Sequence, residues 1–419
     1  MKRRALGATW CVAAIGIHCL AWAQVAAGSE EWGTWFYQAA WWSYIAAVAG
    51  FLYAAGRAPV LHGWRLLMLP WSAVWWLIFD IYGLRLQNWY YVMAPPARIL
   101  RWAGFWTAFA TVIPLTLVTE DALRHTGLFS KVTWRGFAVT TGLRRTLTAA
   151  GFLCFLLPLA APRFCYPLTW VFAPLLIEPW LAVRGAPSLL TELSEGRPGR
   201  LLRLLVTGFI IGILWELFNH GASSRWIYTV PGFETGKLFE MPLPGFLGFP
   251  AFAVGTYSFW AMVKARLGIA SLEAARRGGH WRRNATLSVL LTILFCLPGF
   301  ALIDWGTVRS FSPVVEDLPG WEPRMGAGGQ RASAVCEERG HYAAPPELRD
   351  RWCRLLTMAA HRGMGLDRAL QLETLGITAP GDLAGRDSQA LLTQWPGPDP
   401  PRREEVTVWI TAAPQGDES

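Results

Sequence analysis

The sequence predicts an all-α fold: a polytopic transmembrane helix bundle of about eight or nine spans, followed by a small, mostly helical module. Three observations predict it. Apolar residues gather into runs of about 18–22, where a bilayer core takes about 20 per helix. The 419 residues are 53% hydrophobic and include 25 Trp and 22 Phe, too apolar and too aromatic for an ordinary soluble enzyme. The basic residues cluster in alternate loops, the positive-inside pattern that orients a polytopic chain.

The runs place spans near 5–27, 34–55, 66–84, 102–119, 146–162, 165–183, 201–219, 243–263 and 285–305. The first is ambiguous. Lys2, Arg3 and Arg4, an apolar stretch and Ala21-Trp22-Ala23 before Gln24 fit a signal peptide with an A-x-A cleavage site. The stretch is long for a signal peptide, which favours a retained span; cleavage would leave the same orientation. Lys2–Arg4, Arg57 with Arg65, Arg124–Arg145, Arg184–Arg203 and Lys264–Arg283 mark the cytoplasmic side. The expected setting is the inner membrane, with a cytoplasmic N-terminus. The loops near 85–101 and 220–242 and the C-terminal tail are then periplasmic. Glu120 and Asp121 read as solvated loop residues, and Glu178 as interfacial. Arg276–Arg283, with His280 and Trp281, reads as contact with anionic lipid.

The net charge of +9 does not mark a nucleic-acid binder, because the tail from Gly306 carries 12 basic and 16 acidic residues. The positive excess belongs to the membrane part. Cys11, Cys19, Cys154 and Cys296 fall within spans and read as packing residues, and Cys165 lies at a boundary. Cys336 and Cys353 share the outward tail, where an oxidising compartment permits a disulfide; two free thiols are the alternative. No metal-ligand spacing, P-loop, GxSxG or dinucleotide fingerprint is present, and no cofactor is expected.

The tail divides into an irregular linker over 306–345, a helical module over 346–411 and a disordered end. Pro345–Ala360 and Leu366–Thr374 have helical apolar spacing, Leu375–Trp395 has the pattern of short helix-hairpin-helix modules, and Glu405–Thr411 alternates like a strand. An outward, acidic module argues for a protein partner in the envelope rather than DNA.

The most informative segment runs from Trp215 to Phe249. Glu216 and Asn219 end an apolar run, Trp226-Ile-Tyr228 follows, and Pro242, Pro244 and Pro250 mark re-entry into the next run. Ionisable groups at membrane depth are costly and mark functional sites by default. An echo precedes it: Asp80 matches Glu216, Trp89 matches Trp226, and Tyr91 matches Tyr228, with a proline after each copy. Repeat-built membrane proteins place sites at repeat interfaces, so the two carboxylates are expected to share a pocket toward the outer leaflet. The competing reading is two aromatic belts that match by chance. His220 lies four residues after Glu216, on the same helical face, where it reads either as a proton-transfer partner or as a structural hydrogen bond. The stretch Phe239–Phe249 is either a re-entrant pocket wall, with Glu240 at its mouth, or a kinked span entry. Arg85 and Arg225 flank the two copies and read as phosphate or headgroup contacts.

This segment resembles the membrane-embedded lycopene cyclase domain family. Trp215-Glu216 with Asn219 matches that family's helix end, and Trp226 with Tyr228 matches its Trp-x-Tyr step. Pro244-Gly245 stands where the family carries its acidic pair, which the resemblance would assign to proton transfer at a polyene. The chain also resembles uncharacterised bacterial multipass proteins with a WExxN…WxY…FEMPLxGFLGFP signature. Two carboxylate–aromatic helix ends on one side of the membrane lead to the expectation of a site that binds or modifies an apolar lipid, with an isoprenoid as the candidate class. In that reading Glu216 acts as acid and base with Asp80, and Asn219 and His220 orient it. Trp89, Tyr91, Trp226, Tyr228 and Glu240 would line the site. The alternative from another class is a non-catalytic scaffold whose tail binds an envelope partner. A transporter is disfavoured by the scarcity of intramembrane charge.

Overall fold

The computed structural model describes residues 2–230, 232–233, 236–268, 280–326, 328, 330–337 and 342–414, and the side chains of the last long helix from 284 onward. It forms two compact units. The first comprises Met1–Leu86, Trp102–Gly221 and Leu243–Asp304; the second comprises Gln87–Arg101, Ala222–Pro242 and Trp305–Ser419.

The first unit is the bundle. Its helices are α1 (Lys2–Ala26), α2 (Glu30–Ala54), α3 (Met68–Leu86), α4 (Arg98–Phe109), α5 (Val112–His125), α6 (Thr141–Ala160), α7 (Pro162–Cys165), α8 (Phe172–Val183), α9 (Leu189–Ser194), α10 (Gly199–Gly221), α11 (Gly248–Arg266) and α12 (His280–Gly306). Eight helical stretches among the described residues are long and apolar enough to cross a membrane, and the chain is an integral, multipass membrane protein. The 25-residue α2 is not among the eight, because its Trp, Tyr and Gln residues depress its mean hydropathy.

Helix α1 is continuous through the expected cleavage site and packs along α2. A Cβ on Gly7 would lie 2.6 Å from the Ala54 nitrogen, so only glycine admits this approach. Further along, Trp22 Nε1 donates to His18 Nε2 at 3.2 Å, leaving Nδ1 to donate to Ser43 Oγ at 2.9 Å. The α4–α5 span breaks at Ala110–Thr111, where Pro114 cannot donate to a preceding carbonyl. Ser72 of α3 stitches the break: its hydroxyl donates to the Phe109 carbonyl at 2.6 Å and accepts from the Ile113 amide at 3.0 Å.

Re-entry after Pro242 is a 3-10 turn, Leu243–Leu247, running straight into α11. This matches the kinked span entry. Phe249 and Pro250 of that entry press onto α10, where a Cβ on Gly208 would lie 2.4 Å from the Pro250 Cα and one on Gly212 would lie 2.5 Å from the Phe249 ring. Small residues four apart let membrane helices approach closely, so the Gly-Phe-Pro of the signature has a packing role.

The second unit joins two interhelical loops to the tail. Strand β1 (Trp89–Val92) pairs antiparallel with β2 (Arg225–Tyr228). Residues after α12 continue the ribbon: Tyr91 N donates to Thr307 O at 2.9 Å, and Arg309 N donates to Tyr91 O at 2.8 Å. A smaller pair, β3 (Lys237–Leu238) with β4 (Met241–Pro242), follows. Four of the eight stretches separate the first loop from the second, and two separate the second loop from the tail. Were each stretch to cross once, chain parity would return all three segments to one side of a membrane.

The tail adds α13 (Ala334–Glu337), α14 (Pro346–Ala360), α15 (Leu366–Thr374), α16 (Ser388–Thr393) and α17 (Arg403–Thr411). Two sequence expectations are corrected here. The stretch after 306 is irregular but is not a loose linker, since Val315, Leu318, Ala332 and Val335 are core residues beside Trp352 and Leu372. The expected strand at 405–411 is helical: Glu405, Val406, Val408 and Trp409 are buried, an i, i+1, i+3, i+4 stripe that a helix presents and a strand cannot. Cys336 and Cys353 are disulfide-bonded with Cα atoms 5.7 Å apart. Residues 415–419 of the expected disordered end, and Pro231, which closes the second copy of the echo, lie outside the described residues.

Candidate functional site

Asp80 on α3 and Glu216 and Asn219 on α10 are all 0% exposed. The enclosure comes from the aromatic residues around them. Trp76, one turn before Asp80, meets Trp215, which adjoins Glu216, with ring centroids 4.9 Å apart. Phe79, beside Asp80, stacks on Trp170 at 5.6 Å and meets Phe252 edge-on at 5.3 Å. On the other flank Trp41 of α2 packs edge-on against Phe218 at 4.9 Å. Tyr37, whose ring lies 6.3 Å from Trp215, is an electrostatic neighbour of Glu216. The α3 and α10 copies of the echo thus touch within one unit, through a tryptophan one turn before Asp80 and one next to Glu216. His220 is different: it is exposed in the last turn of α10, whereas Glu216 is fully enclosed.

The aromatic residues expected to line the site belong to the second unit. Trp89 faces Tyr228 and Tyr91 faces Trp226; residues alternate sides along a strand, so the four share one face of the ribbon. All four are buried. The opposite face presents Tyr90, Val92 and Ile227 to Val408 of α17. Backbone at positive φ closes both ends of β1, at Gln87 and Met93. Arg402 of the tail holds Gln87 through its carbonyl at 3.1 Å and its side-chain oxygen at 2.9 Å.

Glu240, expected at a pocket mouth, is 1% exposed and clamped by Arg362. Arg362 Nη1 and Nη2 donate to its two oxygens at 2.8 and 2.5 Å, a bidentate pairing of the strong kind. Arg225 also departs from expectation. Burial pulls its guanidinium pKa down, against the favourable pull of Glu240 and with added repulsion from Arg362. It is half-buried within a network of charges that includes Glu240 and Arg362. Tyr90 lies in the same network, its hydroxyl pKa pushed up by burial and by the charge of Glu405.

Two polar hubs of the bundle went unrecognised in the sequence. Glu178 is buried rather than interfacial; it accepts from Ser188 Oγ at 2.7 Å, Leu190 N at 3.0 Å and Ser258 Oγ at 2.5 Å, tying α8, α9 and α11 together. Glu120 is also buried, not solvated, because α5 runs on to His125; Arg203 Nε donates to it at 2.8 Å. Asp121 accepts from Arg57 at 2.8 Å. Glu120 and Asp121 meet arginines, and Glu178 meets two serines and an amide, all brought from distant sequence, which no periodicity reveals. Residues 276 and 277 of the basic run and the side chains of 280–283 lie outside the described residues. No group of three or more His, Cys, Asp or Glu among the described residues is placed to hold a metal ion. Comparison with protein-family models, curated proteins and solved structures finds no match to this chain.

Proposed function

We propose that this integral membrane protein carries, at the meeting of α3 and α10, an acidic and aromatic site that binds or modifies an apolar lipid. The observation that carries the reading is the pair of enclosed carboxylates, Asp80 and Glu216, on helices joined by the Trp76–Trp215 contact. A carboxylate in an apolar interior is costly unless it is partnered or has a task. The surrounding aromatic faces suit an unsaturated hydrocarbon and favour a developing positive charge through cation–π attraction. In this reading Glu216 exchanges the proton, Asp80 supports it and Asn219 orients it. Isoprenoids are the candidate class. The test compares lipids bound to wild type and to Glu216→Gln purified in native-lipid particles. A specific lipid enriched on wild type and lost or altered on the variant is expected; identical bulk lipid on both would sink the reading.

A scaffold reading draws on the second unit. Arg309, Asp317, Arg368 and Asp399 line a cleft of about 640 Å³ formed by the tail, a volume typical of ligand sites. If the scaffold role holds, deleting 320–419 abolishes function and Glu216→Gln does not.

A further inference from the structure

Basic residues from three elements converge at the opposite end of the bundle from the α3–β1 and α10–β2 junctions. Lys264 lies near the end of α11, Arg200 at the start of α10, and Arg65 in the 3-10 turn Gly63–Leu67 before α3. Tyr257, Trp260 and Lys264 share a face of α11 by their spacing. That face meets both other elements. Tyr257 accepts a hydrogen bond from Arg200 at 2.6 Å, and Trp260 stacks with Trp64 at 6.5 Å. The charges acting on Lys264 are Arg200 and Arg65, both of its own sign.

The acids nearby are committed elsewhere: Glu192 pairs with Arg200 at 2.7 Å, Glu120 with Arg203 at 2.8 Å, and Glu178 is held by its three donors. Among the described residues no carboxylate pairs with Arg65 or Lys264. A helix C-terminus favours a cation, which accounts for Lys264 alone. It does not account for Arg65 and Arg200 brought to it from two other elements.

Beside this cluster an apolar groove of about 610 Å³ runs between α3 and α12. Leu66, Trp106, Val289, Ile293 and Leu297 line it, and Cys296 and Phe300 are its buried floor. Its one hydroxyl, on Thr292, spends its proton on the Val289 carbonyl at 2.7 Å. Trp64 belongs to both features. It lines the groove, stacks on Trp260, and carries the Arg65 guanidinium 5.8 Å over its ring.

We infer that Arg65 and Lys264 bind the phosphate of an anionic glycerophospholipid, one of whose acyl chains lies in the α3–α12 groove. The charge complementarity selects an anionic headgroup, and the groove selects a hydrocarbon chain. Interhelical basic pockets are known to select anionic headgroups over zwitterionic ones. This site is separate from Asp80 and Glu216 and stands or falls independently of them.

The test is native mass spectrometry of the full-length, delipidated protein in detergent, titrated with phosphatidylglycerol or phosphatidylcholine of matched chains. Wild type should retain one phosphatidylglycerol at a concentration at least about tenfold below that needed for phosphatidylcholine. Lys264→Gln should erase that preference. Ile293→Trp, at an outward-facing position of the groove, should displace the lipid while leaving the cations in place. If Lys264→Gln does not fold, the wild-type preference and the Ile293→Trp result still decide. Equal retention of the two lipids by wild type, or undiminished phosphatidylglycerol binding by Ile293→Trp, would overturn the inference.

Discussion

Trp89 lies directly opposite Tyr228 across the β1–β2 ribbon, and Tyr91 opposite Trp226, so the two Trp-x-Tyr steps meet in reverse order. Exchanging the strands maps each aromatic residue onto its counterpart, which is a local two-fold axis. The sequence echo is therefore a pairing device as well as a repetition. The register also separates two kinds of aromatic residue. The four echo residues share one face, whereas Tyr90 points to the other, where its buried hydroxyl finds no hydrogen-bond partner among the described residues. A lone buried hydroxyl costs about 1–3 kcal/mol. Tyr90→Phe should leave thermal stability unchanged or raise it, while Trp89→Ala, emptying a filled site, should cost about 3–5 kcal/mol. A Tyr90→Phe variant clearly less stable than wild type would contradict this account of the ribbon.

The Glu240–Arg362 clamp is a bidentate charge contact between the second interhelical loop and the tail. Removing one member of a buried pair leaves the other uncompensated, at about 3–5 kcal/mol. Glu240→Gln should accordingly loosen both segments, seen as faster amide exchange in residues 222–230 and in α17. Glu240→Asp should restore part of the protection. If Glu240→Gln leaves both protection patterns intact, Glu240 is not the fastener and its assignment to a ligand reopens.

What the sequence disclosed, and what it withheld, follows from the range of the forces involved. Apolar spans and the bounds of α14 and α15 are local patterns, and they were legible. Glu178, Glu120 and Glu240 were misplaced because burial depends on Ser258, Arg203 and Arg362, which lie 80, 83 and 122 residues away. The β1–β2 ribbon was hidden for the same reason, since a four-residue strand shows no alternation until its partner is known. For the candidate site, the echo pointed to Asp80 and Glu216, and both are enclosed. It could not reveal that the related aromatic residues of β1 and β2 fold with the tail.

Two groups in the tail make its stability depend on pH in separate windows. Burial lowers the pKa of His361 below its ordinary 6.5, opposed by its contact with the Trp409 carbonyl at 2.9 Å and reinforced by Arg362. A depressed imidazole means the unfolded chain takes the proton first. The contribution is complete above 6.5 and is lost as pH falls through that value. The hydrogen bonds from Arg351 lower the pKa of Glu373 below 4.5, so its contribution persists through the first window and is lost only below 4.5. Amide protection of α17 should therefore fall as pH drops below 6.5, and His361→Gln should flatten that step. A step that survives in His361→Gln would assign it to another group.

The sharpest test of a shared acidic site is a double-mutant cycle at Asp80 and Glu216. Each amide substitution removes a buried carboxylate while nearly preserving shape, so neither opens a cavity. Distant, independent sites add to within about 0.3–0.5 kcal/mol, whereas residues in one network couple by about 0.5–3 kcal/mol. The Trp76–Trp215 contact links the two helices near the two acids, and the enclosing aromatic residues supply little screening. Coupling of about 1 kcal/mol or more is expected between Asp80→Asn and Glu216→Gln, read from unfolding of the purified protein in one detergent. Asp80→Asn should also change the lipid that co-purifies, as Glu216→Gln does. Additivity within about 0.5 kcal/mol, with each variant altering lipid content on its own or not at all, would place the carboxylates in separate niches. The α3–α10 contact would then be packing, and the echo would serve the ribbon alone.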